Sequence, residues 1–149
     1  MTVSHAREAN QELVAALGRL LPQLSASAPV PTAAQVEEMV DSPATIVFVA
    51  RDGADGPIVG TLTLAHFRTP TGVRAWIEDV VVDASVRGRG GGEALTRAAI
   101  EAAAGLGART VELTSRPSRE AANRLYQRMG FQLRETNLYR YDVPAGGRR

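Results

Sequence analysis

Between a strand-like run from Trp76 to Asp83 and a helix-like run that begins near Glu93, the chain places Arg87-Gly88-Arg89-Gly90-Gly91-Gly92. Glycine loses more backbone freedom on folding than any other residue and weakens a strand or helix that it enters. A connection this rich in glycine therefore answers a demand for bare backbone or for left-handed dihedral angles. The segment also constrains the fold. It joins a period-two pattern to a 3.6-residue pattern, so sheet and helix must meet there. The ligand that suits such a connection is an anion, most naturally a phosphate, held by successive N–H groups at a helix N-terminus.

The rest of the chain reads as mixed α and β. Thr2 to Arg7 forms a short first strand with His5 at the surface, and Leu13, Val14, Leu17, Leu20 and Leu21 make the stripe of a helix that starts at Glu8 and ends at Pro22. Thr32 caps a second helix that buries Val36, Met39 and Val40. "ATIVFVARD" and "PIVGTLTLAHF" are strands joined by the turn "GADG", and "TPTG" leads into a third strand from Val73 to Asp83. The helix after the glycine loop runs from Gly90 to Ala104 and buries Leu95, Ala98, Ala99, Ala102 and Leu106. A strand from Thr110 to Ser115 follows, then a helix capped by Ser118 and closed at Gly130, with Phe131 folding back. "FQLRETNLYRYDV" supplies one or two last strands. The expected fold class is α/β (α+β): a single domain over residues 1–143 and a flexible tail over 144–149. Its mixed central sheet has about six to seven strands, with helices on both faces.

Composition removes several classes of function. The chain has 149 residues, enough for one sizeable core, and no cysteine, so thiolate metal sites and cysteine nucleophiles are excluded. A formal net charge of +1 argues against a nucleic-acid partner. No signal-peptide pattern and no apolar run long enough for a membrane span is visible, so a cytoplasmic protein without membrane association is expected. All 17 cationic side chains other than histidine are arginine, and a phosphate site built around lysine cannot exist.

That last fact decides between phosphate loops. A Walker loop needs Gly-Lys-Ser/Thr, and a dinucleotide fingerprint needs a third glycine where Glu93 stands. What remains is Arg/Gln-x-x-Gly-x-Gly/Ala. The stretch "IEDVVVDASVRGRGGGEALTRAAIE" resembles the acetyl-CoA-binding motif of the GNAT superfamily of N-acyltransferases. Downstream, "SREAANRLYQRMGFQLRETNLYRY" is similar to the second hallmark of that superfamily, with Asn123, Leu125-Tyr126 and Gly130-Phe131 in order. The resemblance covers roughly Thr45 to Tyr141.

The resemblance implies a site. Arg87, Gly88, Arg89, Gly90, Gly91 and Gly92 would hold the coenzyme pyrophosphate. The sheet would splay between the strands from Val73 to Asp83 and from Thr110 to Ser115. Backbone groups of Val80 and Val82 would line the pantetheine arm in that gap, the Val80 N–H serving as oxyanion donor. Asn123 would bind the pantetheine, and Tyr126 would protonate the departing thiolate. Glu78 is the candidate base, directly or through water.

Read without the resemblance, several of these residues have plainer roles. Tyr126 can pack in the core with Leu125 and Met129. On regular pleating Glu78 and Asp79 face opposite sides of the sheet, and Glu78 can pair with Arg74 or Arg68. His66 shares a strand face with Ile58, Leu62 and Leu64 and reads as packed. No metal-ligand constellation emerges. The implied activity is acetyl transfer from acetyl-CoA to a primary amine, expected on a small molecule, by direct attack and with no metal. A homodimer is compatible with it. Protein or peptide N-acetylation, or acyl-CoA sensing without catalysis, are the alternatives on the same fold.

Overall fold

Asn10 opens the first helix by accepting the Leu13 N–H at 2.9 Å, and Thr32 opens the second with a capping box shared with Gln35. The computed structural model describes residues 1–147. It divides into two compact units, Met1–Thr114 and Ser115–Arg149.

The first unit holds β1 (Thr2–His5), α1 (Gln11–Leu24), α2 (Ala33–Asp41), β2 (Thr45–Arg51), β3 (Ile58–Thr69), β4 (Gly72–Val82), α3 (Gly91–Gly105) and β5 (Val111–Glu112). The strands form one mixed sheet in the order β1-β2-β3-β4-β5. All pairs are antiparallel except β4 with β5. α1 and α2 cover one face, where Leu13, Ala16, Leu17, Leu20 and Val36 pack with Val49, Ile58 and Val81. α3 covers the other. A Cβ on Gly60 would come within 3.2 Å of Leu95, and one on Gly91 would meet Val82 at 3.3 Å. Val81 and Val82 thus point to opposite cores, as strand alternation requires. The glycine at 60 is what lets the helix lie this close to β3.

Several local expectations change. Pro22 does not end α1, which continues to Leu24. In the last turn proline forfeits one bond to Gly18, and the turn still closes through the Ser25 N–H to the Leu21 carbonyl. His5 is half-buried rather than at the surface, its ring 6.1 Å from that of Phe48. α3 buries Thr96 and Ala103, whereas Leu106 is exposed. Thr96 is tolerated inside because its hydroxyl donates to the Gly92 carbonyl at 2.7 Å.

The second unit contains α4 (Glu120–Arg128) and a 3-10 turn at Ala145–Gly147. Arg119, not Ser118, takes the N-cap position of α4, without a side-chain cap. The far end behaves as its sequence suggests. Gly130 is left-handed at φ +100°, and Phe131 donates to the Tyr126 carbonyl at 2.9 Å.

The sheet has five strands rather than six or seven. Residues 131–143 form no strand, and Leu133, Leu138, Tyr139 and Tyr141 are exposed. Alternation suits a segment to a sheet but supplies no partner, and without a ladder no strand exists. β5 is likewise shorter than the run from Thr110 to Ser115. Of the expected flexible tail at 144–149, Arg148 and Arg149 lie outside the described residues.

Candidate active site

β4 begins as an ordinary internal strand and ends as something else. Its parallel ladder with β5 comprises Ala75 with Val111 and Trp76 with Glu112, and stops there. From Ile77 to Val82 that edge of β4 has no strand beside it among the described residues. Its backbone groups are available to an extended ligand, as at any open sheet edge. The parallel pairing between the two strands thus ends at Trp76, where β5 ends.

On its other edge β4 carries an irregularity at the same level. Thr61 of β3 faces Val81 and Thr63 faces Glu78, so Asp79 and Val80 both stand opposite Leu62. The extra residue is a bulge, and Asp79 adopts φ +50°, the one non-glycine with positive φ among the described residues. Aspartate tolerates this region better than most residues, yet the conformation still carries strain of about 1–3 kcal/mol. Regular pleating across Glu78 and Asp79 is therefore interrupted. Both side chains are exposed, and Val80 and Val82 are half-buried. Glu78 has no ion-pair partner among the described residues, and Arg74 donates instead to the Thr71 hydroxyl at 2.9 Å.

The glycine loop follows directly. Asp83 accepts from the Ser85 N–H and hydroxyl at 3.0 and 2.9 Å, which holds its carboxyl below the usual carboxylate range and starts a 3-10 turn, Ala84–Val86. Gly88 and Gly90 then take φ +80° and +83°, and Gly90 is the N-cap of α3. A Cβ at either position would meet nothing within 4 Å. The requirement there is left-handed backbone, not lack of room. The first N–H groups of α3 have no intrahelical acceptor, and the helix dipole favours negative charge in front of them. Successive backbone N–H groups in such a turn are the chemistry that binds anions.

The arginines of this loop differ. Arg87 is exposed and has no ion-pair partner among the described residues. Arg89 is engaged by Asp52, which the sequence reading did not single out: Nη1 to Oδ2 is 3.0 Å and Nη2 to Oδ1 is 2.8 Å. No sequence signal links residues 37 positions apart. Within the first unit the structure thus gathers Glu78, Asp79, Val80, Val82 and the loop 87–92 at the C-terminal end of β4. His66 is half-buried on β3.

In the second unit Asn123 and Tyr126 share one face of α4. Both amide hydrogens of Asn123 are used locally, donated to the Arg116 and Arg119 carbonyls at 2.9 Å each. What that side chain can still offer is its carbonyl oxygen. Tyr126 is buried and meets Phe131 edge-on, ring centroids 5.6 Å apart. Burial raises the phenol above its ordinary value, with Arg119 pulling modestly the other way. The hydroxyl stays protonated throughout the neutral range. Among the described residues no cluster of His, Asp and Glu could hold a metal, and no helix is long and apolar enough to cross a membrane.

A left-handed glycine loop thus stands at a helix start, directly after a bulged strand whose parallel pairing has ended. Comparison with known proteins supplies the class. The family model for the acetyltransferase (GNAT) family matches residues 11–131. A protein of Agrobacterium tumefaciens str. C58 assigned to the acetyltransferases is 28% identical, with 95% of this chain and 100% of that chain covered and a TM-score of 0.79. An acetyltransferase of Trypanosoma brucei is 27% identical over 95% of this chain and 99% of that one, with a TM-score of 0.74. An aminoglycoside acetyltransferase from an uncultured soil metagenomic sample, solved with sisomicin, shares the fold at a TM-score of 0.82, with 19% identity over 96% of this chain and 95% of that one. None of the curated proteins matches the sequence. The chain belongs to the acetyltransferase (GNAT) family and is an acetyl-CoA-dependent N-acetyltransferase.

Proposed function

We propose that the protein acetylates a primary amine of a small molecule by direct attack of the amine on the thioester. The observation that carries this reading is the end of β4. There an unpaired strand edge, a bulge and a left-handed glycine loop follow one another within Ile77 to Gly92. The loop N–H groups of Gly88 to Gly92, with the exposed Arg87, receive the pyrophosphate. Arg89 takes part through the loop. The backbone at Val80 and Val82 aligns the pantetheine arm, and Asn123 accepts a hydrogen bond from it. The Val80 N–H faces the carbonyl oxygen as it becomes an oxyanion.

Glu78, exposed and without an ion pair among the described residues, takes a proton from the ammonium acceptor, directly or through water. The amine nitrogen bonds to the acetyl carbon and gives up its second proton to solvent as the carbon–sulfur bond breaks. Tyr126 hands its proton to the thiolate and recovers one from solvent. A fold shared with an aminoglycoside acetyltransferase supports a small amine as acceptor. A single-domain chain over residues 1–143, a cytoplasmic location and a homodimer belong to the same proposal. The absence of cysteine fits a reducing compartment, and the exposed Leu133, Leu138, Tyr139 and Tyr141 suit a surface that a second copy covers.

A thiol-release assay with acetyl-CoA against amino sugars, aminoglycosides, polyamines, amino acids and peptides tests the reading. Turnover with a small amine and not with peptides is expected. Turnover confined to peptides would replace it with protein acetylation. Coenzyme binding without turnover on any amine would replace it with a sensor.

A further inference from the structure

Asp52 lies in the β2–β3 turn, and nothing in the chemistry of acetyl transfer calls for a carboxylate there. The turn is itself braced. Arg51 makes a two-point pair with Glu12 of α1, at 2.6 and 2.8 Å, and donates to the Gly56 carbonyl at 3.0 Å. The Asp52 N–H reaches the Pro57 carbonyl at 3.3 Å. From this support Asp52 holds both terminal nitrogens of Arg89. Arg89 stands between the two left-handed glycines, Gly88 and Gly90, at the point where the loop has the most conformations to lose.

The pair is too exposed to matter much for overall stability, with the two side chains 56% and 35% accessible. Its two-point geometry instead fixes the orientation of one particular peptide segment. We infer that Asp52 is a positioning residue for coenzyme binding, one that acts through Arg89. The pair tethers the glycine loop to the braced β2–β3 turn and presets the backbone concavity before the pyrophosphate arrives, while Arg89 itself makes no phosphate contact. Preorganisation of this kind lowers the ordering cost of binding and leaves the chemical step alone. The inference rests on the coenzyme site proposed above.

Calorimetric titration of CoA into wild type, Asp52→Ala, Arg89→Ala and the double variant tests it, together with steady-state kinetics on an amine that wild type turns over. Each single variant should weaken CoA binding about two- to fivefold, the span an exposed ion pair allows. The double variant should bind no worse than the weaker single one, since both changes remove the same tether. KM for acetyl-CoA should rise, with kcat and KM for the amine unchanged.

If Arg89 were instead a phosphate ligand that Asp52 competes for, Arg89→Ala would lose more than about tenfold, as a charge-assisted bond implies. Asp52→Ala would then tighten binding. That pattern overturns the inference, as does CoA affinity unchanged in Asp52→Ala. Failure of wild type to bind CoA would instead remove the site on which the inference rests.

Discussion

The loop region from Glu78 to Gly92 and the helix α4 both carry residues of the proposed site, but they are built by opposite means. In the loop region the working parts are backbone. Asp79, Gly88 and Gly90 hold positive φ, the β4 edge lies open, and the side chains at 78, 79, 87 and 89 are exposed. In α4 the proposed working parts are two side chains, Asn123 and Tyr126. Tyr126 is the one buried large hydrophobic residue of the second unit among the described residues, fixed by its edge contact with Phe131. Function in the first region should therefore follow dihedral angles where the coenzyme binds, and side-chain chemistry only at Glu78 and Arg87. In the second it should follow those two side chains and be indifferent to small changes of backbone propensity.

The sharpest break in that contrast is Tyr126→Phe, which removes the hydroxyl and keeps the ring against Phe131. We expect kcat to fall roughly 10²–10⁴-fold, with CoA affinity nearly unchanged. The pH dependence has a definite sign. A donor phenol works while protonated, so wild-type activity should stay level through neutral pH and decline only above the ordinary tyrosine value, because burial raises this group. The same raised value makes a contribution to stability that is complete below the ordinary tyrosine pKa and is lost as pH climbs through the raised one. Both alkaline effects should be absent in the Phe variant. Steady-state pH–rate profiles and alkaline unfolding check them, and an unchanged kcat would reduce Tyr126 to packing.

Glu78→Gln comes next and tests the proton-transfer function assigned to the loop region. As general base it should lose about 10²-fold in kcat/KM at neutral pH. The deficit should shrink as pH rises, since more of the amine then arrives deprotonated. A rise in amine KM with kcat held would make Glu78 an attractor of the cationic acceptor only. A wild-type profile would move the search to Asp79 or an ordered water.

Gly90→Val probes the backbone side of the comparison. A Cβ there meets no protein atom within 4 Å, so the fold itself has no clash to relieve. CoA affinity should drop by about tenfold or more as the loop gives up its left-handed turn, a change of about 1–3 kcal/mol. Titration calorimetry on the folded variant is the measurement, and unchanged affinity would remove the loop from the site. The smallest effect is expected at Asp79→Gly. Glycine accepts φ +50° without strain but is freer when unfolded, so melting should shift by no more than about 1 kcal/mol in either direction. Catalysis should persist if the bulge, not the carboxylate, is what matters there.

Much of the fold was legible because it is decided locally. The Thr32 capping box, the Schellman-like end at Gly130, the three long strands and the glycine loop each depend on residues within a few positions of one another. Ser118 misled because it has the chemistry of a cap, yet the helix starts one residue later at Arg119, and Asn123 supplies the bonds to that turn. The strands expected in residues 131–143 misled because alternation is a local property and pairing is not.

Backbone demand and functional-group chemistry are written into residue types, so the sequence by itself determined the class of fold, the left-handed glycine turn at Gly88 and Gly90, and the family. Tertiary structure alone decided where the β4–β5 ladder stops, that the extra residue opposite Leu62 falls at Asp79, and that Arg89 is spoken for by Asp52. Each of these depends on how far two distant stretches of chain stay in register or in reach. No short-range pattern encodes that distance, because it is the outcome of packing α1 and α3 on opposite faces of one sheet.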